Sequence, residues 1–116
     1  MSFHSPADDV IISSGYRIGP AEIEESLATH EAVADAGVIG VPDELRGAVP
    51  KAFVVVGEAH QPSAALAETL QAHVRDRLAR HESPRDVVFV DALPRTSTGK
   101  LRRRALRERE GVVEAD

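Results

Sequence analysis

The chain has 116 residues, a formal charge of −5 and no cysteine. That length favours one domain with one core, burying roughly two-thirds of the unfolded surface. Disulfides and thiolate metal sites are excluded. With no cationic-then-apolar leader and no apolar run near the roughly 18 residues of a membrane helix, a cytoplasmic protein without membrane partners is expected.

Residues 1–7 read as a loose start. Val10-Ile11-Ile12, the turn signal Ser13-Ser14-Gly15 and Tyr16-Arg17-Ile18 predict a small hairpin, with Gly15 where the backbone needs freedom. That glycine could serve the turn alone or also admit a ligand close to the backbone. Gly19-Pro20 opens a helix whose Glu22, Glu24 and Glu25 suit the positive end of its dipole. Ile23, Leu27 and Ala28 form its apolar stripe, and it should end near His30. Val33–Val41 predicts a strand that Pro42-Asp43 stops, and 43–50 a polar loop. Lys51–Val56 is the clearest strand in the chain.

Ser63 is the expected N-cap of a helix over about 64–80, with Leu66, Leu70, Val74 and Leu78 as its apolar side and Arg75, Arg77 and Arg80 in solvent. His81-Glu82-Ser83-Pro84 should end it. Val87–Val90 predicts the next strand, and Leu101, Ala105 and Leu106 give a last helix a narrow apolar side. The tail 111–116 should fray. The order is hairpin, helix, strand, strand, helix, strand, helix. It predicts a small α+β domain with a central three-stranded sheet, an N-terminal β-hairpin and helices packed on the sheet.

Charge is unevenly spread. Residues 1–93 carry seven Lys/Arg against fifteen Asp/Glu, whereas 94–110 carry seven against two. The basic segment favours an anionic ligand or partner. It contains Pro94-Arg95-Thr96-Ser97-Thr98-Gly99-Lys100, a loop of turn residues presenting one ammonium group. A lysine held this way suits a phosphate or a carboxylate. By itself the loop reads more readily as an ordinary solvated turn before a basic helix.

Other chemistries lack their patterns. Pro94 and Leu101 stand where a phosphate-cradling loop needs Gly and Ser/Thr. Gly37 and Gly40 do not make a dinucleotide fingerprint, and no serine-hydrolase elbow is present. His4, His30, His60, His73 and His81 have no metal-ligand spacing. Arg102-Arg103-Arg104 lacks nearby aromatics for stacking bases, so no nucleic-acid partner is expected.

Three stretches together resemble one family. The run from Asp8 to Glu24, with Ile11-Ile12-Ser13-Ser14-Gly15-Tyr16-Arg17-Ile18-Gly19-Pro20 at its centre, is similar to the start of the C-terminal domain of AMP-binding, adenylate-forming enzymes. Arg46-Gly47 with Lys51-Ala52-Phe53 resembles its middle, and Pro94-Arg95-Thr96 with Thr98-Gly99-Lys100 its closing signature. The match spans residues 8–110 and is nearest in wording to medium-chain acyl-CoA synthetases.

The resemblance implies a two-step ligase. A carboxylic acid attacks the α-phosphate of ATP to give acyl-AMP and pyrophosphate, with Mg²⁺ in the complete enzyme. Coenzyme A then attacks the acyl-AMP. It implies that this domain is a mobile lid working against a large N-terminal domain, which the chain lacks. The chain alone should then be inactive and hold no cofactor tightly. Asp8 matches the hinge and Lys100 the adenylation lysine, which some relatives offer to a lysine acetyltransferase. Gly15, Tyr16, Arg17 and Arg75 match the coenzyme A side. Two departures stand out. Ser5-Pro6-Ala7 replaces the usual Gly-Arg before Asp8, and Ser83 replaces an aromatic before Pro84. A second expectation is a stand-alone, non-catalytic interaction module using the basic segment.

Overall fold

The computed structural model describes residues 10–109. The hinge position Asp8 and the segments 1–7 and 111–116 lie outside the described residues. Strands β1 (Ile11–Ser13) and β2 (Tyr16–Ile18) form the expected hairpin, and helix α1 (Pro20–Ala28) follows. Next come β3 (Val33–Asp43), β4 (Gly47–Val56), α2 (Ala64–Arg77), β5 (Asp86–Phe89) and α3 (Arg103–Arg109).

The sheet has five strands rather than three. Its main path runs β2-β1-β4-β3, with β5 parallel to β4. β4 shares its second edge between two partners. Gly47 pairs with Ser13 of β1, and Lys51–Val54 pair with β5. The N-terminal hairpin therefore joins the sheet instead of standing apart from it.

Residues 43–50 are mostly strand, not the predicted loop. Asp43 pairs with Gly47 and Pro42 with Ala48. The Asp43 carboxylate accepts from the backbone N–H of Arg46 at 2.9 Å and of Leu45 at 3.2 Å, so a side chain holds the turn together. Proline is admitted at Pro42 because β3 borders the sheet, where a missing N–H costs no ladder bond.

Pro20 sits in the first turn of α1, and the Ser63 hydroxyl caps α2 by accepting from Leu66 N–H at 3.0 Å. α2 ends at Arg77, earlier than predicted, because Leu78 leaves helical angles (φ −114°, ψ −96°). A 3₁₀ turn over Arg80–Glu82 follows. Ser83 Oγ donates to the Gln71 carbonyl, and Gln71 Nε2 donates to the carbonyls of Pro84 and Arg85. These bonds fold the connection back along α2. Leu78 consequently falls off the apolar stripe and is 36 % exposed, while Leu70 and Val74 are fully buried.

The core has two layers. Ile11, Ile18, Ile23, Leu27, Val38, Val54, Leu70 and Val74 pack between the sheet and helices α1 and α2. On the opposite face Ile39 and Phe53 pack on Leu106 of α3, with Leu93 and Leu101 beside them. Gly37 makes the second layer possible. A Cβ there would stand 3.0 Å from Leu101 and 3.3 Å from Leu106.

Candidate functional site

The Lys100 loop is a miniature hairpin. Arg95 and Leu101 form an antiparallel bridge. Within it, Thr96 N–H donates to Lys100 O at 2.8 Å and Gly99 N–H to Thr96 O at 2.9 Å. The Thr96 hydroxyl accepts from Lys100 N–H at 3.1 Å. Gly99 takes φ +90°, a conformation that glycine adopts without steric cost. Outside the loop, the Arg95 guanidinium grips both oxygens of Asp35 and donates to Gly99 O at 2.9 Å. The Lys100 ammonium has no ion pair among the described residues, and the side chain is exposed. The loop thus presents one unneutralised cation on a braced stem.

The Gly15 turn is built differently. Ser14 (φ 51°) and Gly15 (φ 85°) are both left-handed, the two-residue geometry that matches the twist of a hairpin. Nothing lies within 4 Å of a Cβ placed on Gly15, so there is open space over the turn. Ser14 N–H donates to Arg46 O at 2.9 Å, which ties the turn to the β3–β4 connection. Tyr16 is 53 % exposed and stacks on His81 with ring centroids 4.0 Å apart.

Beside this stack lies a recess of about 280 Å³ lined by Ser13, Ser14, Tyr16, Arg46, Arg80 and His81. A second recess, of about 300 Å³, shares Arg46 and Arg80 with the first and adds Arg75 and Arg85. Four arginines thus border these two adjoining recesses, which together make a shallow groove. Arg85 also pairs with Asp43 at 2.9 Å. The Arg46 backbone N–H, then Arg85, hold the Asp43 carboxyl below its ordinary range.

Of the predicted residues, Tyr16 and Arg75 line this groove, and Gly15 lies in sequence between two of its lining residues, Ser14 and Tyr16. Arg17 is exposed on β2 and lines neither recess. Arg46, Arg80, His81 and Arg85 received no role from the sequence. Arg46-Gly47 was a recognisable signal, but the other three are brought here by the early end of α2.

Lys100 is not part of this cluster. Asp35, which braces its loop, lies eight residues along β3 from Asp43, whose turn meets Ser14. At about 3.4 Å per residue the two anchors stand about 27 Å apart along the strand. The basic segment is also less free than its composition implies. Arg103 pairs with Glu24 at 2.7 Å and Arg104 with Glu108 at 3.6 Å. The interaction-module expectation therefore finds no support here.

Comparison with known proteins agrees with this geometry. The profile of the AMP-binding enzyme C-terminal domain matches residues 22–100. Acetyl-coenzyme A synthetase of Bacillus subtilis is 47 % identical over 105 residues, covering 90 % of this chain and 18 % of the relative. The mitochondrial acyl-coenzyme A synthetase ACSM4 of Homo sapiens is 49 % identical over 111 residues, covering 93 % and 19 %. The crystal structure of Brucella canis acyl-CoA synthetase superposes with a TM-score of 0.87 at 47 % identity, covering 95 % of this chain and 20 % of that one. The chain thus spans about a fifth of the length of these relatives. Ordered motifs, an α+β fold with two separate loops and near-complete coverage at this identity lead to one conclusion: the chain belongs to the AMP-binding enzyme C-terminal domain family, as found in acyl-CoA synthetases.

Proposed function

We propose that the chain is the mobile lid of an acyl-CoA synthetase, using its two ends in the two successive half-reactions. The observation that carries this reading is that the Lys100 loop is anchored at Asp35 and the Gly15 turn is tied beside Asp43, anchors about 27 Å apart along one strand. One bound substrate cannot touch both, so the domain must turn to use both.

In the first pose Lys100 bridges the acid's carboxylate and the α-phosphate of ATP. Its charge offsets their mutual repulsion and stabilises negative charge as the new bond forms. The braced loop supports this role, since among the described residues the ammonium has no ion-pair partner. Pyrophosphate leaves and acyl-AMP remains.

In the second pose the Gly15 turn lies along the path of the pantetheine arm, where the open space over the glycine leaves room. The coenzyme A phosphates fit the groove bordered by Arg46, Arg75, Arg80 and Arg85, and Tyr16 with His81 offers a flat face beside it. Arg17 contacts the same ligand from outside the groove. The thiol supplies the nucleophile and AMP is the leaving group. Among the described residues no His/Asp/Glu group could hold Mg²⁺, which belongs with the N-terminal domain in this reading.

The remaining parts of the reading follow. Asp8 is the hinge, the acid pocket lies in the N-terminal domain, and the chain alone does not turn over. It works in the cytoplasm, in keeping with its lack of cysteine. Among the described residues no helix is long and apolar enough to cross a membrane. Acetylation of the exposed Lys100 would remove its charge and silence the first step.

The test is to join this chain to the N-terminal domain of an acyl-CoA synthetase relative. The fusion is expected to release pyrophosphate and form acyl-CoA, while the 116-residue chain does neither. A folded fusion without ligase activity would refute the lid reading.

A further inference from the structure

Glu24 and Arg103 form a closed ring with the backbone of Val38. Glu24 Oε2 accepts from Val38 N–H at 2.8 Å, Arg103 Nε donates to Val38 O at 3.2 Å, and Arg103 donates to Glu24 Oε1 at 2.7 Å. Three elements meet there: α1, the bordering strand β3, and the first residue of α3. Both side chains are largely sheltered, 16 % exposed for Glu24 and 18 % for Arg103. Burial pushes the Glu24 carboxyl up from its ordinary range despite the facing guanidinium. A sheltered ion pair of this kind adds little net stability, because desolvation offsets the attraction. It does fix geometry, since both side chains are also bonded to the backbone of Val38, so the pair sets α1 and the start of α3 against one residue of β3.

The geometry it fixes is that of the lysine loop. Lys100 stands three residues before Arg103. On the other side of the loop Arg95 is bound to Asp35, also on β3. Between them Leu101 seats against Gly37, and Arg102 N–H donates to Pro94 O at 2.9 Å. The Asp35–Arg95 pair is about twice as exposed, so the Glu24–Arg103 ring is the more sheltered and less screened of the two anchors.

We infer that Glu24 and Arg103 are positioning residues for Lys100: by clamping the first residue of α3 to the border of β3, they make the lysine loop move as one body with the sheet. Neither residue touches a substrate in this arrangement. The inference rests on the assignment of adenylation to Lys100.

Two measurements separate this inference from that assignment. In the 116-residue chain, amide hydrogen exchange is followed at Gly99, Lys100 and Arg102, with Val90, bonded to Val54 O, as the core reference. Glu24→Gln puts a donor against Arg103 or against Val38 N–H, and Arg103→Lys loses the forked geometry. Both are expected to speed loop exchange about tenfold with the core unchanged, and Arg103→Met more so. Unchanged loop exchange, or equal acceleration at Val90, would overturn the clamp whatever the activity. In the fusion enzyme, Arg103→Lys should lower kcat for adenylation about tenfold at unchanged KM and spare thioester formation from supplied acyl-AMP. Equal loss in both half-reactions would overturn the positioning role. Full adenylation in Lys100→Ala would instead refute the underlying assignment, with the exchange result still deciding whether the loop is clamped.

Discussion

The two ends of the β3–β4 ribbon solve opposite problems with opposite materials. At the Lys100 end, side chains fix the backbone: Arg95 on Asp35 and Arg103 on Glu24 brace a loop whose exposed lysine has no ion pair among the described residues. At the Gly15 end, the backbone fixes itself through two left-handed residues, and positive charge is spread over four arginines along a groove. A single braced charge suits a reacting centre, where its position must be held as the bond forms. A distributed groove suits an extended polyanion, whose phosphates are bound rather than transformed. In the proposed lid reading, this difference lets one small domain serve two steps with separate ends.

Removing the concentrated charge should produce the largest effect. Lys100→Ala in the fusion enzyme is expected to lower the adenylation rate by about 10²–10³-fold, measured as pyrophosphate release, the range seen when one transition-state charge partner is lost. Lys100→Arg should recover little, because the longer planar fork cannot replace a point charge on a short bridge.

At the other end the glycine is the sensitive position. Gly15→Val places a β-branched residue at φ 85°, which should cost roughly 1–2 kcal/mol in thermal unfolding. It should also slow thioester formation about tenfold by crowding the space over the turn. Gly15→Asn tolerates that φ better and should keep most of the stability. If Gly15→Asn also keeps full thioesterification, the crowding account fails and the turn matters only for folding.

The groove should respond more gently and in proportion to charge. Arg46→Gln and Arg80→Gln are each expected to weaken adenosine 3′,5′-bisphosphate binding about tenfold in calorimetry, the loss of one charge-assisted contact. Lys100→Ala should leave that binding unchanged, and an equal loss there would erase the distinction between the two ends.

The smallest effects concern pH. Glu82 lies beside Glu22, and burial with that neighbour raises its carboxyl above the ordinary 4.5. A raised carboxyl stabilises the fold below the unfolded value and loses that contribution as pH rises through the folded one. Glu82→Gln should therefore raise the Tm near neutral pH by roughly 2–4 °C, equivalent to about 0.5 kcal/mol after solvent screening. Asp43 has the opposite sign. Its lowered carboxyl stabilises the fold above 3.8 and loses that contribution as pH falls, so Asp43→Asn should flatten the acid limb of the stability profile.

Much of this was legible in the residues. The hairpin followed from Ser13-Ser14-Gly15, the cap of α2 from Ser63, and the tight turn of the lysine loop from the turn chemistry between Pro94 and Gly99. The family was visible in three ordered motifs. The strand residues at 43 and 47–50 were not, because Pro42-Asp43 read as a stop and the residues after it as a polar loop. Only the fold shows that β3 borders the sheet and that the Asp43 side chain closes the turn. The groove was hidden for a related reason. Arg80 and His81 looked like the end of a helix, and it is the exit of α2 at Leu78 that turns them toward Tyr16. The Glu24–Arg103 ring spans residues 79 apart, so no local pattern could announce it.

The most direct test of the two-ended account is the rate at which the Lys100→Ala fusion converts supplied acyl-adenylate and coenzyme A to the thioester. The account predicts a rate within about twofold of the unaltered fusion, because the lysine belongs to the other end and the other step. A loss as large as that in adenylation would show that one end serves both reactions, and would contradict the account.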